Sequence, residues 1–311
     1  MLNGNCSAQP FVAADYATNS IYAGGWSAGQ NGGYGFGAWS FDGTTDTNGN
    51  SDPGGQQTTS SASPIGTAWT LFNLGSAPAG AGISVVGRAI NPAGGLQTGQ
   101  TFETVISNPT AYHYYGGFDI LFYNGTTNLP AGDNAAALRT LVFNYYTTLW
   151  KINDNTGTTV TPLTAAATAA AGLKFDLTLT STNTYSLTMT PLSNPSAAYT
   201  QTGTLNASLP INWVIYRLWN GQSSGPNDTA ENFEISSMTI AGLTLNIQLA
   251  GMNAILSWTT NTPGFNLASS LNLGAAAAWS TNNLPSPVLL NGQNVVTNPI
   301  TGSQQFYRLQ Q

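Results

Sequence analysis

Twelve carboxylates and one histidine are the side chains available for acid–base work in this chain. Hydrolysis of a glycosidic bond needs two carboxyl groups flanking a cleft, about 5 to 9.5 Å apart. In strand-like sequence, Glu103 with Asp119 or with Glu234 are the pairs to consider. Glu231 and Glu234, three residues apart, fall on opposite faces of a strand. The Glu-x-Asp-x-Glu run that would put three acids on one strand face does not occur. A single cysteine, Cys6, and a single histidine, His113, supply no ligand set for zinc, haem or an iron–sulfur cluster. No nucleophile elbow, phosphate-binding loop or dinucleotide fingerprint is present. The glycines between Gly24 and Gly37 alternate with aromatics and precede no helix. The expectation is a protein that is not an enzyme.

Binding chemistry has two candidates. Asp46-Thr47-Asn48-Gly49-Asn50-Ser51-Asp52 places the oxygen ligands Asp46, Asn48, Asn50 and Asp52 at alternate positions, the spacing by which a loop wraps calcium. Ser51 stands where glycine is expected at the sixth position, and Gln57 replaces glutamate at the twelfth. Without a metal the same residues make a solvated turn rich in Asn and Asp. Asn227-Asp228 with Glu231 is a weaker second site of this kind. The other candidate is aromatic: Tyr112, His113 and Tyr114 in one run, then Tyr145, Trp150 and Trp219. Such rings stack on sugar faces and predict a glycan groove on the concave sheet. They are equally the residues that strands and sandwich cores favour.

The rest of the chain sets the scaffold. Of 311 residues only 18 are ionic, 12 acidic and 6 basic, for a net charge of −6. A soluble domain of average composition carries about 25% charged residues. Six scattered cations cannot track a phosphate backbone, so nucleic acid is excluded as a partner. Disorder is excluded as well, because 41% of the residues are hydrophobic and 11% aromatic. No run of 18 apolar residues occurs, so no helix is expected to span a membrane. Gly (35) and Pro (16), with abundant Asn, Thr, Ser and Gln, favour strands and turns over helices.

From Ile83 onward, short alternating runs recur between turn signals: Ile83–Ile90, Thr101–Ile106, Phe118–Tyr123, Thr140–Tyr146, Leu173–Thr180, Thr184–Thr190, Trp213–Trp219 and Phe233–Ile240. Many short strands at this spacing predict an all-β, antiparallel jelly-roll sandwich. Only the alanine-rich Thr164–Gly172 has helix propensity. After Ala241-Gly242 the pattern restarts with Leu243–Leu249, Ala254–Thr259, Gly264–Ala268, Val288–Leu290, Asn294–Val296 and Gln305–Leu309. The Asn291-Gly292 pair between two of them is a hairpin signal. The expected organisation is an N-terminal leader or strand over 1–20, a jelly roll over 21–242 and a small Ig- or fibronectin-like β-sandwich over 243–311.

Several of these residues carry a family resemblance. Ala13-Ala14-Asp15, Tyr22-Ala23-Gly24-Gly25-Trp26, Asn31-Gly32-Gly33 and Gly35-Phe36-Gly37-Ala38-Trp39 resemble uncharacterised secreted bacterial proteins of Verrucomicrobia and planctomycete type. Their body is similar to a concanavalin-A or laminin-G jelly roll, and Asn232–Ile240 resembles its closing strand. Leu256-Ser257-Trp258, Gly264-Phe265-Asn266-Leu267, Leu271–Leu273, Trp279 and Gln305-Phe306-Tyr307-Arg308-Leu309 resemble a C-terminal β-module of the same bacteria. The resemblance implies an extracellular or cell-surface protein without an established activity. The signal peptide of such proteins is not visible in this chain.

Charge scarcity also predicts how the protein meets its partners. Natural sheets blunt their edges with charged side chains, lysine above all, and this chain has two lysines, Lys151 and Lys174. Little surface charge also means little repulsion between copies. The leading expectation is a non-catalytic structural protein that self-associates into an extracellular fibre or layer. A lectin-like carbohydrate-binding protein is the alternative, and a polysaccharide hydrolase ranks below it.

Overall fold

Alternation of apolar and polar residues at every second position shapes the larger part of the molecule. In Thr184–Pro191, Tyr185, Leu187 and Met189 are buried while Ser186, Thr188 and Thr190 are half-buried on the other face. The computed structural model describes residues 11–42, 54–59, 63–73, 83–90, 94–107, 117–124, 139–146, 149–164, 171–206, 211–219, 233–259, 265–273, 277–290 and 293–310. Two compact units result, one of Phe11–Ala241 and one containing Gly242–Gln311.

The described strands of the first unit begin with β1 (Phe11–Tyr16), β2 (Ser40–Asp42), β3 (Gly54–Thr59), β4 (Ala68–Asn73) and β5 (Ile83–Ala89). Next come β6 (Thr101–Ser107), β7 (Gly117–Asn124), β8 (Arg139–Tyr146), β9 (Leu149–Asp154) and β10 (Gly157–Thr164). The series ends with β11 (Leu173–Leu179), β12 (Thr184–Pro191), β13 (Tyr199–Thr204), β14 (Ile211–Trp219) and β15 (Phe233–Ala241). An eight-stranded sheet runs β13-β12-β11-β6-β15-β4-β3, with β1 also on β15. A seven-stranded sheet runs β10-β9-β8-β7-β14-β5-β2. This is the expected antiparallel jelly-roll sandwich. The segment 165–170 of the alanine-rich run lies outside the described residues, and Thr164 ends β10.

The core fills the space between the sheets with aromatic rings. Phe118 of β7 stacks on Phe233 of β15, centroids 4.6 Å apart, and Phe102 of β6 meets Phe122 of β7 edge-on at 5.4 Å. One ion pair is buried with them. Arg88 of β5 reaches Asp15 of β1 at 2.6 Å, and both side chains are fully buried. Burying a charge is tolerable only when it is paired and hydrogen-bonded, and here the partners are complete. Arg88 also donates to the Gly37 carbonyl at 2.9 Å and to Asn31 Oδ1 at 2.7 Å, and lies over the rings of Phe36 and Trp39. Asp15 accepts from the Tyr22 hydroxyl at 2.6 Å and from Asn19 Nδ2 at 2.8 Å. Burial, reinforced by that bond to Asp15, pushes the Tyr22 hydroxyl up to about 12.

The cluster fastens residues 19–39 across both sheets. Residues 11–16, within the segment expected to be a leader or strand, are a strand of the eight-stranded sheet. Glycine is required where this segment meets β1. A Cβ on Gly33 would lie 1.9 Å from the Ala14 carbonyl oxygen, and Gly35 holds φ +74°.

The second unit is much smaller. Its strands are β16 (Asn246–Ala250), β17 (Asn253–Thr259), β18 (Asn266–Ser270), β19 (Val288–Leu290), β20 (Gln293–Pro299) and β21 (Phe306–Gln310). They form a four-stranded sheet, β16-β17-β20-β19, and a two-stranded sheet, β18-β21. The β16–β17 hairpin turns through Gly251 at φ +62°. Ala254, Leu256, Trp258, Leu267 and Val296 make its buried core.

Candidate functional site

The aromatic residues singled out by sequence do not gather at a surface. Tyr145 and Trp150 are cross-strand neighbours on β8 and β9, only 5% and 3% exposed. Tyr145 stacks on Phe118 at 5.0 Å and Trp150 on Phe143 at 4.6 Å, so their faces are covered by core rings. Strand alternation decides this, because positions 143 and 145 of β8 point inward together. Trp219 ends β14, its backbone paired with Gly117 and Ile83. Tyr112, His113 and Tyr114 lie outside the described residues. So do the expected calcium ligands Asp46, Asn48, Asn50 and Asp52, and also Asp228 and Glu231.

Three acids considered for hydrolysis are placed. Phe102 and Ile106 point into the core, so Glu103 points outward from the eight-stranded sheet. By the same alternation Glu234, between Phe233 and Ile235, faces outward from that sheet. Asp119 faces outward from the opposite sheet, between the core residues Phe118 and Ile120. Glu103 and Asp119 therefore lie on opposite outer faces of the sandwich. Glu234 is paired with Ser107, four residues from Glu103 along β6, a separation of about 13 Å at strand rise. The backbone therefore brings neither pair together as register neighbours. Glu103 does face Asp176 across β6 and β11, but Lys174 bridges them at 3.3 and 2.7 Å. Burial pushes the Asp176 carboxyl up to about 6 despite the pull of Lys174.

The outer face of the seven-stranded sheet carries a set of groups that sequence reading missed. Val85, Leu121, Tyr123, Trp213 and Ile215 form a second buried cluster there, separate from the main core. Beside it a polar row crosses four strands in register: Arg217 of β14, Asp119 of β7, Asn144 of β8 and Lys151 of β9. Arg217 Nε donates to Asp119 Oδ2 at 2.7 Å, and a second guanidinium nitrogen joins the same oxygen. Asp119 Oδ1 and Asn144 Oδ1 are both buried and accept from no protein donor. Burial pushes the Asp119 carboxyl upward, against the opposing pull of Arg217 and of a weaker hydrogen bond from the Asn144 amide. At the end of the face Arg139 Nε donates to the Tyr123 hydroxyl at 3.1 Å. The signal was in the sequence: Gly117–Tyr123 is apolar on both faces except for one acid.

A different surface belongs to the C-terminal unit. Its four-stranded sheet ends in β16 and β19, and every residue of both strands is exposed. Leu249 is 63% exposed, and Val288, Leu289 and Leu290 are 66%, 68% and 56% exposed. Arg308 is the only ionic residue after Gly242. It stacks on Trp279 at 4.4 Å and lies on β21, outside the four-stranded sheet.

Comparison with known proteins returns matches of shape. No family model and no curated protein sequence matches the chain. Among solved structures, the metal-free lectin I-B4 from Griffonia simplicifolia is similar at 8% identity and TM-score 0.40, over 65% of this chain and 92% of that one. A conserved carbohydrate esterase, vb_24B_21, from the Shiga toxin-encoding bacteriophage phi24B is similar at 14% identity and TM-score 0.42, over 76% of this chain and 100% of that one. The exoplasmic/lumenal domain of VIP36, in its Ca2+/Man3GlcNAc-bound form, is similar at 11% identity and TM-score 0.36, over 67% of this chain and 87% of that one.

Proposed function

We propose that the protein is a non-catalytic, lectin-like protein of the cell exterior that binds a polyhydroxylated, glycan-class ligand on the outer face of the seven-stranded sheet. The observation that carries this reading is the pair of neighbouring buried acceptors, Asp119 Oδ1 and Asn144 Oδ1, that no protein donor satisfies. Buried polar atoms of native proteins are almost always hydrogen-bonded. Sugar hydroxyls donate to such acceptors and accept from cations such as Arg217 and Lys151 in the same row. Calcium on Asp46, Asn48, Asn50 and Asp52 is part of the same reading. The scarcity of ionic groups fits an exterior setting, where amides and hydroxyls keep a surface soluble over a wide pH range.

A glycan array probed with the full chain, with and without calcium, tests this. The expected result is a defined set of hits that Asn144→Ala weakens about tenfold, the loss of one good hydrogen bond, and that Lys151→Ala weakens less. An array without hits, or hits indifferent to both substitutions, overturns it.

A second reading, self-association, is favoured by β16 and β19. The two strands run in opposite directions, since the sheet order β16-β17-β20-β19 is antiparallel at every step. A translated copy that lays its β16 beside β19 therefore continues the antiparallel sheet. Such a head-to-tail contact does not close, and it builds a filament. Light scattering and negative-stain microscopy of the purified chain at rising concentration are expected to show growing species. Monomers at every concentration rule the filament out.

A further inference from the structure

On the outer face of the eight-stranded sheet, three side chains stand in register across three adjacent strands. Glu234 of β15 is paired with Thr70 of β4 on one side and with Ser107 of β6 on the other. All three are buried, at 1%, 0% and 3% exposure. Glu234 Oε2, Thr70 Oγ1 and Ser107 Oγ each lack a hydrogen-bond partner, although register neighbours sit only about 5 Å apart. Among the described residues Ser63, in the turn before β4, is the one group that hydrogen-bonds the carboxylate.

We propose that Glu234, Thr70 and Ser107, with Ser63 at the margin, form an oxygen-only site for one small monovalent cation, Na+ or K+. A buried carboxylate requires a counter-charge or a proton. Among the described residues no charged side chain acts on Glu234; burial and Ser63 are the influences upon it. Lys174, the cation carried by the same sheet, already bridges Glu103 and Asp176. A proton on Glu234 would satisfy a single acceptor and leave the flanking oxygens as they are. A hard cation takes several oxygens at once, neutral hydroxyls and waters included. Its charge is set by the donors. One carboxylate balances one positive charge, and among the described residues no group of three or more acids, histidines and cysteines exists to hold a divalent ion.

Thermal unfolding of the full chain at pH 8, in sodium, potassium or tetramethylammonium chloride at equal ionic strength, tests the site. Sodium or potassium is expected to raise Tm saturably by about 3–6 °C over tetramethylammonium. Glu234→Gln is expected to erase the difference among salts. Ser107→Ala and Thr70→Val keep the charge but remove an oxygen, and each is expected to raise the half-saturating concentration several-fold. These two variants decide the matter if Glu234→Gln does not fold. Crystals soaked in rubidium chloride should show an anomalous peak among the three side chains. Equal Tm in all three salts, an unchanged salt response in the variants, or no rubidium peak overturns the proposal in favour of a proton or water alone.

Discussion

Five of the six cations of the chain belong to the jelly roll, and the structure sets three of them against acids: Arg88 on Asp15, Arg217 on Asp119, Lys174 between Glu103 and Asp176. The C-terminal unit has Arg308 alone. Exposed apolar residues are distributed the other way. Nine of the fifteen large hydrophobics exposed among the described residues lie after Gly242, although that unit is less than a third of the chain. The jelly roll thus uses scarce charge to fix internal geometry and covers its apolar surface. The smaller unit leaves apolar strands at both edges of its sheet with no charge to guard them. A small core cannot hide much surface, and an unguarded edge is a template for another strand. The two regions thus differ in what they expose: the jelly roll buries most of its large apolar residues, and the smaller unit displays them on the edge strands of its sheet.

Breaking the internal charge of the larger unit should have the greatest effect on stability. Arg88→Ala leaves Asp15 buried and unpaired, a change that costs about 3–5 kcal/mol. Urea unfolding followed by tryptophan fluorescence is expected to show that loss, with Arg88→Met/Asp15→Leu recovering most of it. In the smaller unit the matching blow is Leu256→Ala, at about 2–5 kcal/mol. Because its buried core is a separate cluster of five residues, limited proteolysis of that variant is expected to cut first beyond Gly242. Cleavage distributed evenly over the chain would show that the two cores do not fail separately.

Legibility in the sequence also differed between regions. Strands with a period-2 pattern were readable: β6, β7, β11, β12, β14 and β15 fall within a few residues of their expected bounds. The first 73 residues were not, because Gly54–Thr59 is glycine and polar residues, and the 19–39 segment is held by Arg88 and by glycines packed on β1, not by alternation. The β9–β10 hairpin was missed for a similar reason, since Gly157–Thr164 is mostly threonine. The candidate site was least legible. Tyr145 and Trp150 stand out in sequence as aromatic, but whether an aromatic side chain lines a groove or fills a core depends on which face it takes. The row of Arg217, Asp119, Asn144 and Lys151 draws one residue from each of four strands, and only pairing register brings them together.

An intermediate effect is expected from pH. Burial raises the Glu234 carboxyl to about 7 in the folded chain, from an ordinary 4.5. An acid with a raised folded pKa binds its proton more tightly when folded, so its contribution to stability is complete below pH 4.5 and is lost as pH rises through 7. The gap corresponds to about 3 kcal/mol. In tetramethylammonium buffers the wild type should gain stability relative to Glu234→Gln as pH falls from 8 to 5. Asp176 and Asp119 shift in the same direction, which is why the difference from Glu234→Gln, and not the raw curve, is the quantity to measure. Parallel curves for the two proteins would show that Glu234 does not titrate abnormally. Below this effect comes Arg308→Ala, expected to cost under about 1 kcal/mol, because an exposed cation over a ring contributes no more. A cost as large as that of Arg88→Ala would erase the contrast between the two units.

The smallest expected change in stability tests the contrast most directly. Leu249→Lys and Leu289→Lys place a charge on β16 and on β19, where both side chains are already exposed, so each should alter folding by no more than about 0.5 kcal/mol. Their effect on assembly should be far larger than their effect on folding. A lysine on an edge strand must be desolvated before a second strand can pair there, and two such strands facing each other would also repel. The control is an exposed apolar residue on an edge strand of the jelly roll, Val160 of β10. Sedimentation velocity across a concentration series is expected to show larger species for the wild type and for Val160→Lys, and loss of those species for Leu249→Lys or Leu289→Lys. If Val160→Lys disperses the protein and the C-terminal lysines do not, the sticky edge belongs to the jelly roll, and the division of labour between the two units is reversed.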